Sequence, residues 1–308
     1  MGAHLVGLLL KAGCKVRVLD DFLFGRASLS EYAHHPNIEI IEGDICNARL
    51  VSHAVRGAES VVLLAAVIGH RLTNSKRSDM REVNLLGSLI VLDAAIEHGA
   101  SRFIMASSDR VYGTQTGMMY ETSTPAPISD FSRLKLRLEE RVLNARNKRF
   151  FPTALRMCHC FGLSPRMRFD VIPNGLIRDA VMKGKISIQS GEQRRSFLHV
   201  RDAAKAVLSV LSAHVSVISG EIFNVGSSDQ SVQIKQLVNI VCALVPEVNV
   251  EVLPEIPALT DYRVSFAKIE NVLGFKSDHT LEEGIKEMRD ALIAGQFPDP
   301  YGYLYRST

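Results

Sequence analysis

The chain has 308 residues, of which 46% are hydrophobic and 22% are charged, and its formal net charge is +3. This composition is ordinary for a globular protein, and the small net charge without runs of like charge gives no reason to expect a nucleic acid or a membrane surface as a partner. No apolar stretch reaches the roughly 20 residues that a transmembrane helix needs. The five cysteines include no C-x-x-C pair. We therefore expect a reducing, cytoplasmic environment.

Short β-branched segments alternate with longer amphipathic segments through the first half of the chain. Helical spacing covers residues 2–12, 84–98 and 130–144, with Gly13 and Gly99 as C-terminal stops. Strands are predicted at 15–19, 38–41, 61–64, 103–106 and 153–157, and another at 221–225. This alternation predicts an α/β fold with a Rossmann-like, doubly wound parallel sheet.

The predicted sheet divides the chain into two parts. A dinucleotide-binding domain is expected over 1–163, with 202–228 returning to it, and a smaller substrate lobe over 164–201 and 229–308. A doubly wound sheet opens with a strand and a glycine-rich turn, whereas this sequence opens on a predicted helix. We expect the first strand and most of the glycine-rich loop to be absent, through a truncated sequence or a start codon assigned too far downstream.

Acidic or small residues follow three successive predicted strands, and these strand ends give the cofactor candidates Asp20, Asp21, Asp44 with its neighbour Ile45, Ala65 and Ala66. An acid about 20 residues after the expected glycine turn can bind a ribose diol, and it favours NAD over NADP because it repels a 2′-phosphate. Asp20 is the predicted ribose ligand, with a strand-end turn residue as the alternative. Small residues at the other two ends let a cofactor approach closely. Together they predict an NAD site at the carboxyl edge of the sheet.

Several motifs occur in a fixed order along the chain: Asn84 with Gly87, the Ser-Ser-Asp-Arg-Val-Tyr-Gly segment 107–113, the Gln-Arg-Arg-Ser-Phe-Leu-His-Val segment 193–200 followed by Asp202, the Asn-Val-Gly segment 224–226, and the Leu-Gly-Phe segment 273–275. Over nearly the whole chain they resemble the extended short-chain dehydrogenase/reductase family. Members of this family epimerise, dehydrate or reduce sugars that are attached to nucleotides. The resemblance implies NAD as the cofactor and a nucleotide-sugar as the substrate.

The resemblance also implies roles for individual residues. Ser108 would hydrogen-bond the sugar oxygen that is oxidised, and Lys135 would bind the nicotinamide ribose and lower a neighbouring pKa. Asn84 would lie beside the cofactor, and Gly2 would be the last glycine of the phosphate loop. A homodimer is implied, with helices 84–98 and 130–144 forming a four-helix interface.

Four residues are implied on the substrate side. Arg195 and Arg263 would hold the diphosphate, in keeping with the preference of guanidinium groups for phosphate oxygens. Asn174 and His159 would contact the substrate. A surface ion pair is the alternative for Arg195, and a helix N-cap is the alternative for Asn174.

One departure from the family concerns its central catalytic residue. The family places a tyrosine four residues before the lysine, one helical turn away, and this chain has Phe131 there. A phenyl ring cannot exchange a proton, and a positioned general acid or base contributes about 10²–10⁴ in rate. We therefore expect hydride transfer to be impaired unless another group serves.

Two nearby residues are candidates for that replacement. Asp109 stands where dehydratases of the family keep an aspartic acid, although Arg110 replaces their adjacent glutamate, and Asp109 could equally be a turn residue. His159 lies between two cysteines, but neighbouring strand residues point alternately and cannot all bind one metal ion. No metal site is predicted.

Besides a hydride-transferring reductase of the same fold, which only substrate data could separate from the first of them, two hypotheses remain for the function. The first is an NAD-dependent epimerase or dehydratase that acts on a nucleotide-sugar by transient oxidation at a sugar carbon. The alternative is a catalytically silent member of the same fold that binds a nucleotide or a partner.

Overall fold

The computed structural model describes residues 1–68, 80–189, 191–254 and 262–306. Its helices are α1 (Gly2–Lys11), α2 (Ala48–Val55), α3 (Ser88–Glu97), α4 (Asp130–Asn144), α5 (Ile172–Lys183), α6 (Val200–Ser212), α7 (Val215–Ile218), α8 (Ile234–Leu244), α9 (Ala267–Leu273) and α10 (Leu281–Ile293). Its strands are β1 (Val16–Asp20), β2 (Ile38–Glu42), β3 (Ser60–Leu63), β4 (Arg102–Ser108), β5 (Gly117–Met119), β6 (Phe151–Met157), β7 (His159–Phe161), β8 (Lys185–Ile188), β9 (Arg194–His199), β10 (Glu221–Val225), β11 (Ser231–Gln233), β12 (Asn249–Val252) and β13 (Tyr262–Val264).

The largest sheet is parallel and has the strand order β10-β6-β4-β3. A separate parallel pair joins β1 to β2. Each strand predicted from the β-branched segments is present, and the predicted parallel α/β architecture is confirmed. Strand β4 is buried along most of its length, as expected of a strand covered by helices on both faces.

Helices cover both faces of this sheet. One face packs on α1 and α6, and the other packs on α3 and α4, with separate apolar cores on the two sides. The chain leaves α1 and α3 through Gly13 (φ 79°) and Gly99 (φ 75°), which confirms both as C-terminal stops. The four-stranded sheet is thus fixed from both sides, and the ends of its strands present side chains at one edge.

The region 84–98 differs from the single α-helix predicted for it. A π-helical turn, Glu82–Gly87, precedes α3. A Cβ atom on Gly87 would lie 2.9 Å from both the Cys46 Sγ and the Ile45 Cγ1 atoms. The close approach of this turn to the loop after β2 therefore requires glycine, and the sequence period alone does not reveal it.

The second half of the chain adds small sheets around a third apolar core. The β5–β13 pair is separate and packs on the same core as α1 and α6, through Met119 and Val264. Around the third core, strands β7, β9 and β11 form one sheet and β8 pairs with β12. Helices α5, α8 and α10 pack beside them. Because β7 directly follows β6, this small sheet lies next to the carboxyl edge of the large one. The domain boundaries given above stay a prediction.

In the described residues, the first element is α1, and β1 is not hydrogen-bonded to β3. The absence of a first strand from the protein stays a prediction. None of the helices within the described ranges is long and apolar enough to cross a lipid bilayer.

Candidate active site

The carboxyl end of β4 carries the first group of candidate residues. The strand ends at Ser108, and a 3-10 turn follows over Asp109–Tyr112. The Ser108 hydroxyl accepts a hydrogen bond from the Arg110 N–H (3.2 Å) and lies 3.4 Å from the Asp109 Oδ1 atom. The turn closes at Gly113 (φ 74°), where a Cβ atom would collide with the Ala126 carbonyl. Asp109 therefore is a turn residue, and it also lies beside Ser108.

Asp109 is only 4% exposed. Burial raises the pKa of its carboxyl group to about 6, against the opposing effects of the Arg110 and Arg195 charges and the hydrogen bond from Ser108. A carboxyl group with this pKa can both accept and release a proton near neutral pH. Asp109 is therefore chemically suited to acid–base work.

Lys135 approaches the same strand from helix α4. The helix begins with a capping box between Ser129 and Ser132, which fixes its first turn. The Lys135 ammonium donates a hydrogen bond to the Ala106 carbonyl (2.8 Å). Burial lowers the Lys135 pKa to about 8, although Glu139 on the next turn raises it. Lys135 therefore reaches β4 two residues before Ser108, and the roles implied for both residues stay predictions.

Phe131 lies one helical turn before Lys135, as the four-residue spacing predicts. Its ring centroid is 5.8 Å from the Lys135 Nζ atom. This is a cation–π distance, and the ring offers no acidic hydrogen. Phe131 therefore occupies the place predicted for the tyrosine without supplying its hydroxyl group.

The small sheet contributes His159 and Arg195, and the separate β5–β13 pair contributes Arg263. The Arg110 Nη2 atom lies 3.3 Å from the His159 Nε2 atom. Arg195 lies on β9, which pairs with β7, and donates to the Gln193 side chain (3.0 Å). Its charge acts on Asp109. Arg263 is exposed on β13, a strand that packs against β9.

Asn174 has a structural role that the sequence did not indicate. The N-cap of α5 is Val171, so the predicted capping role is wrong. The Asn174 side chain instead accepts a hydrogen bond from the Gly162 N–H (3.1 Å) and donates one to the Arg168 carbonyl (2.9 Å). It joins the two ends of the loop between β7 and α5. Its predicted substrate contact stays a prediction.

The cofactor candidates lie after β1 and β2. Asp20 is exposed, and its Oδ1 atom accepts a hydrogen bond from the Phe22 N–H (2.8 Å). Asp21 and Asp44 make similar turns with the N–H groups two residues later. The turn role left open for Asp20 is therefore present, and it occupies only one of the two carboxylate oxygens in that hydrogen bond. Ile45, by contrast, is buried in the apolar core.

The loop after β3 is held by Asn84. Its side-chain amide accepts from the Val67 N–H (2.7 Å) and donates to the Val67 carbonyl (2.8 Å). Ala65 packs in the same apolar core as Ile45, and Ala66 follows it. The helix at Gly2 reaches this loop, because a Cβ atom on Gly2 would lie 3.8 Å from the Leu64 side chain. An exposed carboxylate at a strand end, small loop residues and a buried lysine are groups that a dinucleotide site can use.

A buried polar network beneath the site was not predicted. The Arg156 guanidinium binds the Glu139 carboxylate (2.8 Å) and donates to the Tyr112 hydroxyl (3.0 Å). The Ser107 hydroxyl also donates to Glu139. The only signal in the sequence was that Phe131, Lys135 and Glu139 recur every four residues on one helix face.

The family can be decided by comparison with known proteins. The sequence model of the NAD dependent epimerase/dehydratase family matches residues 1–226. The chain belongs to this family. The predicted family resemblance is confirmed, and the relatives carry enzyme names.

Two relatives cover most of the chain. The dTDP-D-glucose 4,6-dehydratase of Mus musculus is 28% identical over 281 residues, covering 87% of this chain and 77% of the relative. The UDP-N-acetyl-alpha-D-glucosaminuronate decarboxylase of Bacillus cytotoxicus is 29% identical over 316 residues, covering 93% and 92%. A solved structure of MoeE5 with UDP-glucuronic acid and NAD superposes with a TM-score of 0.82 at 24% identity and covers 96% of both chains. That likeness establishes the shared fold.

Proposed function

We propose that this protein binds NAD and a nucleotide-sugar together and oxidises one sugar carbon transiently, as an epimerase or dehydratase does, at a rate limited by Phe131. The observation that carries the proposal is the convergence of Ser108 and Lys135 at the end of β4, where the Lys135 ammonium binds the carbonyl two residues before Ser108. The NAD named for MoeE5 and the sugar nucleotides named for the relatives support it.

Each part of the cofactor has a candidate partner in the chain. Asp20 would bind the adenosine ribose, with Asp21, Asp44 and Ile45 lining its surroundings. Ala65 and Ala66 would allow close approach in the loop that Asn84 holds, and Gly2 would face the phosphates at the amino end of α1. Lys135 would bind the nicotinamide ribose. Bound NAD supplies a hydride acceptor.

Side chains of the protein would accept the proton of the sugar hydroxyl group. Ser108 would orient the sugar hydroxyl, and Asp109, next to it, would take the proton that Phe131 cannot accept. The Ser108 to Asp109 distance of 3.4 Å is long for a hydrogen bond between hydroxyl and carboxylate, so a bound sugar hydroxyl would have to improve this geometry. His159 is the second candidate base. Arg195 and Arg263 would bind the diphosphate, and Asn174 would contact the sugar.

Restoring the hydroxyl group tests this proposal. Phe131→Tyr places a phenol within one helical turn of Lys135, and the rate of nucleotide-sugar turnover should rise by about 10²–10⁴-fold. Phe131→Leu is the matched control, because it changes the ring without adding a hydroxyl group, and should give no gain. Turnover would be followed by chromatography of the sugar nucleotides, with binding of NAD measured in parallel.

Two other results would contradict the proposed catalytic activity. If Phe131→Tyr gains nothing while NAD and a nucleotide-sugar both bind, the protein is a silent binding member of the family. If neither ligand binds, the proposed function is wrong.

Homodimerisation through α3 and α4 is part of the proposed function. The side chains of Leu86 and Ile96, on the π-helical turn and on α3, are 51% and 41% exposed, which supports a partner on this side. The mass of the protein in solution tests it.

A further inference from the structure

Glu139 joins two strands of the large sheet at residues that lie side by side. Its carboxylate accepts hydrogen bonds from the Ser107 hydroxyl on β4 and from the Arg156 guanidinium on β6 (2.8 Å). Ser107 and Arg156 are partners in the register of these two parallel strands. Glu139 is only 1% exposed, so both contacts are enclosed by protein. Helix α4 is therefore held on the sheet one residue before Ser108.

Lys135 uses the same face of α4 and the same strand. It lies one turn before Glu139, a spacing that places the two Cβ atoms about 5–6 Å apart. Its ammonium donates to the carbonyl of Ala106, the residue before Ser107 on β4 (2.8 Å). Consecutive residues of β4 thus bind consecutive turns of α4. Because these two contacts fix α4 along β4, the position of Lys135 relative to Ser108 depends on Glu139.

The same carboxylate bears on the charge of Lys135. Lys135 is only 3% exposed, and its ammonium donates to a neutral carbonyl and makes no direct ion pair within the described part of the chain. A buried ammonium in such surroundings is costly unless a negative charge lies nearby. Burial lowers the pKa of Lys135 to about 8, and the Glu139 charge opposes this effect. Glu139 therefore favours the charged form of the lysine.

The elements around the ammonium carry further titratable side chains: Arg156 on β6, Asp109, Arg110 and Tyr112 in the 3-10 turn, and Glu82 in the π-helical turn. Arg156 contacts Tyr112 (3.0 Å), and burial raises the Tyr112 pKa above its ordinary value. Burial raises the pKa of Asp109 only to about 6, and Glu82 is exposed. A titration with a midpoint near pH 8 at this place therefore belongs to Lys135.

We infer that Glu139 is a positioning residue for the proposed oxidation: it fixes Lys135 beside the end of β4 and keeps this side chain charged, so that an ammonium faces the ribose of the cofactor. The inference rests on the proposed function, which gives Lys135 this ligand. Glu139 lies beneath the site and acts only through the lysine. The effect of a variant should therefore be measurable on the lysine itself.

The charge of Lys135 can be measured without a cofactor. NMR of the lysine side-chain nitrogens in the full chain follows its titration, with the resonance assigned by its loss in Lys135→Arg. Glu139→Gln keeps the shape of the side chain and removes its charge, and should lower the pKa of Lys135 from about 8 to about 7 or below. An unchanged or higher pKa would overturn the inference, because a site that merely loosens admits water and returns the lysine toward its ordinary pKa.

A second variant covers the case in which Glu139→Gln does not fold. That substitution leaves the Arg156 guanidinium buried without its carboxylate, whereas Glu139→Gln combined with Arg156→Met leaves neither member of the pair as an uncompensated charge. The double variant should also lower the pKa of Lys135, since Glu139 is one helical turn away and Arg156 is on the strand next to the one that Lys135 contacts. An unchanged or higher pKa here would overturn the inference equally.

Glu140→Gln is the matched control. Glu140 is the next residue of α4, and it is exposed. Its replacement removes the same charge from the same helix at a position that faces solvent, where water screens the charge. The pKa of Lys135 should therefore be the same in Glu140→Gln as in the unmodified protein. A fall in both variants would show that the general charge of α4, and not the buried Glu139, acts on the lysine.

Binding of NAD separates this inference from the proposed function. At pH 7.5 the NAD affinity of Glu139→Gln should be about 3-fold lower than that of the unmodified protein, because a smaller fraction of Lys135 is charged, and the two affinities should converge at pH 6. If NAD binds but neither the pKa nor the affinity responds to the substitution, only this inference fails. If NAD does not bind while the pKa of Lys135 still falls, the proposed function fails and the effect of Glu139 on the lysine stands.

Discussion

The carboxyl group of Asp109 is buried, and its ionisation should make the free energy of unfolding depend on pH. Because burial raises its pKa to about 6 in the folded chain, against the 3.8 of an ordinary aspartate, the folded state holds this proton more tightly than the unfolded state does. The contribution of Asp109 to stability therefore falls as pH rises from about 4 to about 6 and is constant above that. The pKa difference corresponds to about 3 kcal/mol.

Replacing Asp109 by asparagine removes this dependence. The free energy of unfolding of Asp109→Asn, relative to the unmodified protein, should rise by about 2–2.5 kcal/mol between pH 4 and pH 7.5, as measured by urea denaturation at both pH values, because part of the unfolded-state titration is already complete at pH 4. Asp130→Asn, at an exposed position on α4, is the control and should show little change. A relative stability of Asp109→Asn that is the same at both pH values would contradict the assigned pKa.

At the scale of single residues, the sequence could predict how far apart residues lie along a helix, but not which other elements surround a side chain. The four residues between Phe131 and Lys135 are one helical turn, so their proximity follows from the period alone. The burial of Asp109 depends on β7 and β9, which are distant in sequence. The partners of Asn174 are closer in sequence, 12 and 6 residues away, but the conformation of the loop decides whether they meet its side chain. The identity of the residue at position 174 alone could not distinguish hydrogen bonding to the loop from capping of the helix.

At the scale of elements, the Glu139–Arg156 pair joins α4 to β6 under the site. Both side chains are only 2% exposed, and their charged atoms are 2.8 Å apart. Removing one partner leaves a buried charge uncompensated, so Glu139→Ala and Arg156→Ala should each lower the free energy of unfolding by about 3–5 kcal/mol. The double variant Glu139→Leu with Arg156→Met should be less destabilised than either single variant, because it leaves neither member of the pair as an uncompensated charge.

Chemical denaturation measures these energies. Lys286→Ala breaks an exposed pair with Asp290 on α10 (3.0 Å) and is the matched control, with an expected cost below about 1 kcal/mol. If the costs of Glu139→Leu and Arg156→Met, measured as single variants, simply add in the double variant, the pair does not act as a unit.

The order of the elements was predictable because each signal was local. Strand β10 was predicted at 221–225 and lies there, and α4 was predicted at 130–144 and lies there. The π-helical turn before α3 was not predictable, because it depends on the close approach of Gly87 to the loop after β2. The pairing of β7 with β9 likewise depends on tertiary contacts.

At the scale of the whole molecule, the candidate site draws on both halves of the chain. The end of β4 and helix α4 supply Ser108, Asp109 and Lys135, and the small sheet supplies His159 and Arg195. The C-terminal segment packs on α5 and on the loop before it: the Tyr301 hydroxyl donates to Asp179 of α5 (2.7 Å), and the Phe169 N–H of the loop donates to the Tyr305 carbonyl (2.9 Å). No motif in the sequence indicated this segment.

The central claim is that these strand ends form an NAD site beside a sugar-nucleotide site. Calorimetric titration of the full chain with NAD and with NADP tests it most directly, with and without a sugar nucleotide present. NAD should bind at least about 10-fold more tightly than NADP, because the Asp20 carboxylate repels a 2′-phosphate. Asp20→Ser should reduce this difference in affinity between the two cofactors. Absence of NAD binding, or equal binding of NADP, would contradict it.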